Sequence, residues 1–178
     1  MRIDDTGRCD GAVWTPSPNC DERPETARVD LLVIHNISLP PGEFGGPWID
    51  ALFENRLDPG AHPYFEAIAA LEVSAHFLIR RDGELRQYVS TDMRAWHAGV
   101  SNWKGRERCN DFSIGIELEG ADDVPFAEHQ YDVLRDLTKA LFARYGTLDL
   151  AGHSDIAPDR KTDPGPWFDW ARYRASVT

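Results

Sequence analysis

The chain has 178 residues and a formal net charge of −11, a length that suits one domain and a balance that offers no basic footprint for nucleic acid or an anionic membrane. A 42% hydrophobic share with 8 Phe, 6 Trp and 5 Tyr is enough for a sizeable core. The charged start Met1-Arg2-Ile3-Asp4-Asp5, the lack of a membrane-length apolar run, and three cysteines without CxxC spacing (Cys9, Cys20, Cys109) together fit a reducing cytoplasm.

Residues 1–28 are polar and carry Pro16, Pro18 and Pro24, which reads as an N-terminal arm on a domain spanning 29–178. Val29 to Ile37 is the first strong strand. Val29, Leu31 and Val33 alternate with Leu32 and Ile34, and apolar residues on both faces predict a central strand covered by helices. It runs directly into His35-Asn36. Residues 38–66 carry the breakers Pro40-Pro41-Gly42 and Gly45-Gly46-Pro47, with short helices expected over Trp48–Asn55 and from His62. This stretch is a candidate lid or substrate wall, and its Gly and Pro content beside His35 suggests that it moves. Val73–Arg80 and Glu84–Val89 read as a hairpin turned at Asp82-Gly83. In Phe112–Glu119, Phe112, Ile114, Ile116 and Leu118 face one way, and Ser113, Gly115, Glu117 and Glu119 the other. The longest helix is expected over 127–145, with Tyr131, Leu134, Leu137, Thr138, Leu141 and Phe142 as its apolar stripe and Gly146 as its stop. A loop too rich in Pro and Gly for a regular helix follows, 151–166, and a short helix over 168–176 ends the chain. Intermingled strands and helices predict a single α/β domain with a central mixed sheet flanked by helices.

Chemistry concentrates in the 151–166 loop, where His153, Lys161 and Asp163 fall within eleven residues. A catalytic zinc site takes three protein ligands and leaves one position open. His35, at the end of a buried strand, is the best third ligand beside His153 and Asp163, since sheet sites gather at strand ends. Two imidazoles and a carboxylate leave a net positive centre able to acidify water and polarise a carbonyl. Glu117, on the polar face of its strand with Gly115 leaving room beside it, suits a proton shuttle. Lys161, two residues from Asp163 and on the same side of an extended segment, could face an oxyanion. Each residue also has an ordinary reading: a hydrogen-bonded strand-end histidine at 35, an exposed glutamate on an edge strand at 117, a surface lysine at 161, a turn aspartate before Pro164. His76 and His97 are pocket walls or donors behind the ligands, and His129 a solvated helix-start residue. A structural zinc would need a fourth protein ligand, for which Cys109 is the candidate.

Five segments resemble one family: Leu32-Val33-Ile34-His35-Asn36, Ser74-Ala75-His76-Phe77-Leu78-Ile79, Trp96-His97-Ala98-Gly99, Ser113-Ile114-Gly115-Ile116-Glu117, and Gly152-His153 through Pro164-Gly165. Together they are similar to the zinc N-acetylmuramoyl-L-alanine amidases, which share a fold with phage T7 lysozyme and the peptidoglycan-recognition proteins. Asn36 to Phe44 and Arg106-Glu107-Arg108-Cys109-Asn110 resemble in particular the cytoplasmic members that act on 1,6-anhydro-N-acetylmuramyl peptides. The resemblance runs from about residue 13 to the end.

That resemblance implies Zn2+ held by His35, His153 and Asp163, in a surface groove at strand ends, with Glu117 as acid/base and Lys161 as oxyanion stabiliser. It implies that Arg108 holds a peptide carboxylate and that Asn36, Trp96 and Ala157 line the site. The implied reaction cuts the bond between the lactyl group of the anhydro-sugar and L-Ala of the stem peptide, in cell-wall recycling tied in some bacteria to β-lactamase control. The expected partner is this small muropeptide, taken by a monomer, with no nucleic acid and no membrane. Family members often carry Arg at the position of Glu72, which would alter the grip on the stem peptide. The competing reading is a muropeptide-binding module of the peptidoglycan-recognition type, which keeps the fold without catalysis.

Overall fold

The computed structural model describes residues 1–178. In chain order its elements are β1 (Val13–Trp14), β2 (Cys20–Glu22), β3 (Leu31–Ile37), α1 (Trp48–Phe53), β4 (Phe77–Ile79), β5 (Leu85–Gln87), β6 (Met93–Ala95), β7 (Asn102–Trp103) and β8 (Arg106–Glu107). These are followed by β9 (Ser113–Glu119), α2 (Glu128–Tyr145), β10 (Asp149–Gly152), α3 (His153–Ile156) and α4 (Trp170–Val177). Short 3-10 turns cover Pro63–Ala67 and Cys109–Asp111.

Six strands form one mixed sheet in the order β1-β5-β4-β9-β3-β10. The run β4-β9-β3-β10 is parallel, and β5 folds back antiparallel on β4 through the predicted Asp82-Gly83 turn. Gly83 sits there at φ +90°, a conformation that favours glycine. The apolar residues of β3 and β9 place these strands at the centre, because both faces are covered. All seven residues of β9 are buried, as are the first five of β3.

The two faces differ. Leu32, Ile34, Ile114, Ile116 and Leu118 pack beneath α2 and α4 in the largest core cluster, with Leu134, Leu137, Leu141 and Tyr173. Full burial of such a side chain stabilises by about 1.5–3 kcal/mol, so this face carries much of the fold. Gln130 anchors α2 to the sheet: its Oε1 accepts from the Ala127 N–H, and its Nε2 donates to the Ile79 and Glu119 carbonyls. The opposite face has two smaller clusters, one around Leu39, Leu52, Phe53, Phe65 and Tyr88, the other around Leu31, Val33, Cys109 and Ile156.

Several expectations are adjusted. The hairpin strands are shorter than expected because the ladder pairs only Phe77–Ile79 with Leu85–Gln87. The segment from His62 forms a 3-10 turn capped by the His62 side chain, which accepts from the Tyr64 N–H. The 151–166 segment contains regular structure that its composition hides. β10 runs into it over Asp149–Gly152, and within it His153–Ile156 form one helical turn before Pro158 ends it. Residues 1–28 add β1 to the main sheet, pair β2 with β6, and bury Ile3, Cys9, Ser17 and Asn19. No helix is long and apolar enough to cross a membrane.

Candidate metal centre and catalytic groove

Parallel register assembles the site. His35 on β3 lies opposite Glu117 on β9. Gly152, the last residue of β10, lies opposite Ile34, so His153 emerges beside His35. Three neighbouring strands therefore deliver Glu117, His35 and His153 to one edge of the sheet, at the carboxyl ends where open α/β sheets place their sites. Asp163 returns from the following loop. Its carbonyl accepts from the Ser154 N–H at 2.9 Å, and a Cβ on Gly152 would lie 2.7 Å from Pro164 Cδ. Only a glycine at 152 lets the loop close this far. Asn36 adds a second tie, donating from Nδ2 to Asp122 Oδ1 at 2.7 Å and to the Pro164 carbonyl at 3.1 Å.

The three ligand atoms form a near-equilateral triangle. His35 Nδ1 lies 3.0 Å from His153 Nδ1 and 3.1 Å from Asp163 Oδ2, and His153 Nδ1 lies 3.2 Å from Asp163 Oδ2. The edge of a tetrahedron with zinc–nitrogen bonds of ~2.0 Å is about 3.3 Å, so the triangle has the size that such an ion needs. The far side of each ring fixes its tautomer. His153 Nε2 is 3.1 Å from the Ala98 carbonyl, to which it can only donate, leaving Nδ1 as a lone pair aimed at the centre. His35 Nε2 is 2.9 Å from His97 Nδ1, and His97 Nε2 is 3.1 Å from Ser113 Oγ. A chain of donors running outward from His35 likewise leaves its Nδ1 unprotonated. The donor set, two neutral imidazoles and one carboxylate with an open side, fits a catalytic zinc.

Electrostatics agree with this reading. Burial pushes the His35 pKa down to about 4 and holds His97 and His76 well below the usual histidine range, so all three rings are neutral at pH 7.

Glu117 is buried on a central strand, not exposed on an edge. Its Oε2 is fully buried without a hydrogen-bond partner. Burial first, and the Asp163 charge second, push its pKa well above the usual value, with Lys161 opposing them. Glu119, two residues on and facing the same way, makes the contrast. Its carboxylate accepts from Arg80 Nη1, the Gly45 N–H and the Arg81 N–H. One carboxylate is a satisfied structural group, and the other is left unpaired beside the metal triangle, as a proton carrier would be. The space at Gly115 serves His97 rather than Glu117: a Cβ there would lie 2.5 Å from His97 Cγ.

Around these groups lies a groove of about 370 Å³. Its polar wall includes His35, Glu117, His153, Lys161 and Asp163, and its apolar wall includes Leu39, Leu52, Ile68, Leu71 and Val73. Of the residues expected to contact substrate, Asn36 and Trp96 line this groove. Arg108 and Ala157 line a neighbouring cavity of about 520 Å³ with Val100, Glu107 and Arg160. Cys109 is buried among Leu31, Val33 and Ile156 and lies outside the ligand cluster, which holds three residues. Sequence reasoning missed Arg160, whose Nη2 donates to the Ala98 and Val100 carbonyls and so braces the strip that fixes His153. An arginine next to Lys161 carries no signal of that contact.

Residues 25–166 match the family model described as N-acetylmuramoyl-L-alanine amidase. The chain is 65% identical over 165 residues to the 1,6-anhydro-N-acetylmuramyl-L-alanine amidase AmpD of Citrobacter freundii, covering 92% of this chain and 88% of that one. A crystal structure of a selenomethionine derivative of AmpD superposes with TM-score 0.97 at 62% identity, covering all of both chains. The E. coli amidase AmiD, solved with anhydro-N-acetylmuramic acid-L-Ala-D-γ-Glu-L-Lys as substrate, gives TM-score 0.62 at 30% identity, covering 87% of this chain and 60% of that one.

Proposed function

The chain belongs to the N-acetylmuramoyl-L-alanine amidase family, and from that premise we propose that it is a zinc-dependent hydrolase of 1,6-anhydro-N-acetylmuramyl peptides. The bond cut is the amide between the lactyl group of the sugar and L-Ala, and the setting is cytoplasmic recycling of wall fragments. The observation that carries this reading is the ligand triangle of His35, His153 and Asp163 with an unpaired buried glutamate on the adjoining strand. The activity of the 65% identical relative, a 1,6-anhydro-N-acetylmuramyl-L-alanine amidase, supports the substrate.

Zinc held by His35, His153 and Asp163 would supply Lewis acidity, which makes water a nucleophile near neutral pH and polarises a carbonyl. The chain's own residues do the rest. Glu117 takes the proton given up by the attacking water and returns it to the leaving nitrogen. Its burial keeps its proton affinity high enough for both transfers. Lys161 presents a fixed positive charge where the carbonyl oxygen gains negative charge. Asn36 acts mainly by tying the Asp163 loop to β3, Trp96 walls the groove, and Arg108 with Ala157 receives the stem peptide in the adjoining cavity.

The binding-module reading predicts a degraded centre, and the presence of His35, Glu117, His153, Lys161 and Asp163 along one groove supports the catalytic reading instead. To test the proposal, the zinc-loaded protein is incubated with anhydro and reducing muropeptides side by side and products are identified by mass spectrometry. Release of free stem peptide, abolished by chelation and restored by zinc, is the expected result. Undiminished turnover after metal removal would overturn it, and binding without product would favour the module.

A further inference from the structure

Two residues given to substrate above, Trp96 and Arg108, lie on opposite sides of one chain of charges that begins in the N-terminal segment. Asp21 on β2 is the cross-strand partner of Arg94 on β6. Asp21 Oδ1 accepts from Arg94 Nε at 2.7 Å and from the Trp96 indole Nε1 at 3.0 Å, while its Oδ2 accepts from Arg94 Nη2. Arg94 Nη1 passes to Asp111 Oδ1, and Asp111 Oδ2 lies 3.3 Å from Arg108 Nε. The order is Trp96, Asp21, Arg94, Asp111, Arg108, with every link an ion pair or a charge-assisted hydrogen bond.

Arg108 needs such a constraint. Its side chain is 70% exposed, yet its backbone sits in the left-handed region at φ 59°, ψ 57°, which for a residue with a Cβ persists only where surroundings enforce it. A second arm residue fixes the same turn from behind. Arg23 Nη1 donates to the carbonyls of Asn110 and Asp111 at 3.0 and 3.1 Å, and Asn110 Oδ1 accepts the His97 and Ala98 N–H groups. Asp21 and Arg23, two residues apart, thus grip the 94–98 strip and the 108–111 turn together.

We propose that Asp21 is a positioning residue for substrate: through Arg94 and Asp111 it sets the Trp96 indole and the Arg108 guanidinium as one unit. The inference rests on the assignment of Arg108 to the stem peptide. An isolated, exposed ion pair contributes little, but a linked set whose members touch substrate at both ends acts through preorganisation.

The test is steady-state hydrolysis of an anhydro-muropeptide by the zinc enzyme carrying Asp21→Ala, Arg108→Ala or both. Asp21→Ala is expected to raise KM roughly tenfold, as for loss of one hydrogen bond to a charged group, with kcat within about twofold and zinc content unchanged. Arg108→Ala raises KM at least as much, and the double variant lies within about threefold of the stronger single variant, as residues of one network behave. Asp21→Asn, which keeps an acceptor for the indole and loses the charge, should fall between wild type and Asp21→Ala. If Arg108→Ala raises KM while Asp21→Ala does not, the positioning role fails and the function stands. If Arg108→Ala has no effect, the assignment of Arg108 falls and this inference with it. Multiplying effects in the double variant, or loss of zinc or kcat in Asp21→Ala and Asp21→Asn alike, would make Asp21 an independent or merely structural residue.

Discussion

The two walls of the groove are built in different ways. The polar wall is the end of a hydrogen-bonded ladder: His35 and Glu117 are register partners, and His153 follows the last residue of the adjoining strand. The apolar wall comes from irregular segments around α1 and the Pro63–Ala67 turn, fastened by side-chain packing onto Leu39, Leu52, Phe53 and Phe65. A ladder fixes atoms to fractions of an ångström, which proton transfer and metal binding demand. Packed side chains fix a surface, which is enough to hold a sugar or a peptide. The difference teaches that chemistry and affinity are supplied here by separate parts of the fold, and substitutions should sort accordingly.

The largest effect should come from the polar wall. His153→Ala or Asp163→Ala is expected to remove bound zinc and to lower activity by more than roughly three orders of magnitude, read by metal analysis alongside turnover. Glu117→Gln should keep the metal and lose about 10²- to 10⁴-fold in kcat. A variant that turns over normally would remove Glu117 from proton transfer. Lys161→Met, removing the charge proposed to act on the oxyanion, should cost about 10²- to 10³-fold in kcat with zinc retained. On the apolar side, Leu71 is 48% exposed at the groove, and Leu71→Ala is expected to raise KM a few-fold, about 1 kcal/mol of lost contact, with kcat unchanged. If Leu71→Ala lowered kcat as strongly as Lys161→Met, the division between the walls would collapse.

Acid should act on the polar wall before the rest of the metal-free protein. His35, His76 and His97 have folded pKa values below 6.5, so the unfolded chain binds more protons there and stability falls as pH drops from about 6.5 toward 4. Glu117 has the opposite sign: its raised folded pKa means that its contribution is lost as pH rises above about 4.5. Three histidines against one glutamate leave a net of up to two protons, a slope of at most about 2–3 kcal/mol per pH unit. Urea midpoints of the apo protein at pH 7 and pH 5 measure it. Midpoints independent of pH would contradict neutral burial of these rings.

The sequence carried the polar wall better than its supports. His35 and Glu117 were readable because each sits in a seven-residue strand with a strong apolar pattern, and His153 and Asp163 because their loop is chemically unusual. The triangle they form depends on which strands neighbour each other, for which β10, four residues long and ending in Ala-Gly, gives no periodic signal. His97 as the partner of His35 was open among several histidines until the gap above Gly115 placed its ring. The Asp21–Arg94 pair was illegible, because it joins two three-residue strands whose pairing only the tertiary fold defines.

The register of β9 against β3 also makes assembly of the centre a discrete event. Side chains alternate between faces along a strand, so a one-residue slip would turn Glu117 into the α2 core and bring Ile116 or Leu118 to the candidate metal centre. No intermediate displacement exists in which the glutamate is merely misaligned. A chain whose central ladder has closed already holds its proposed proton carrier beside His35 and His153, and a chain whose ladder is open does not. The centre therefore has the cooperativity of the sheet itself, and its residues are inherited as a set.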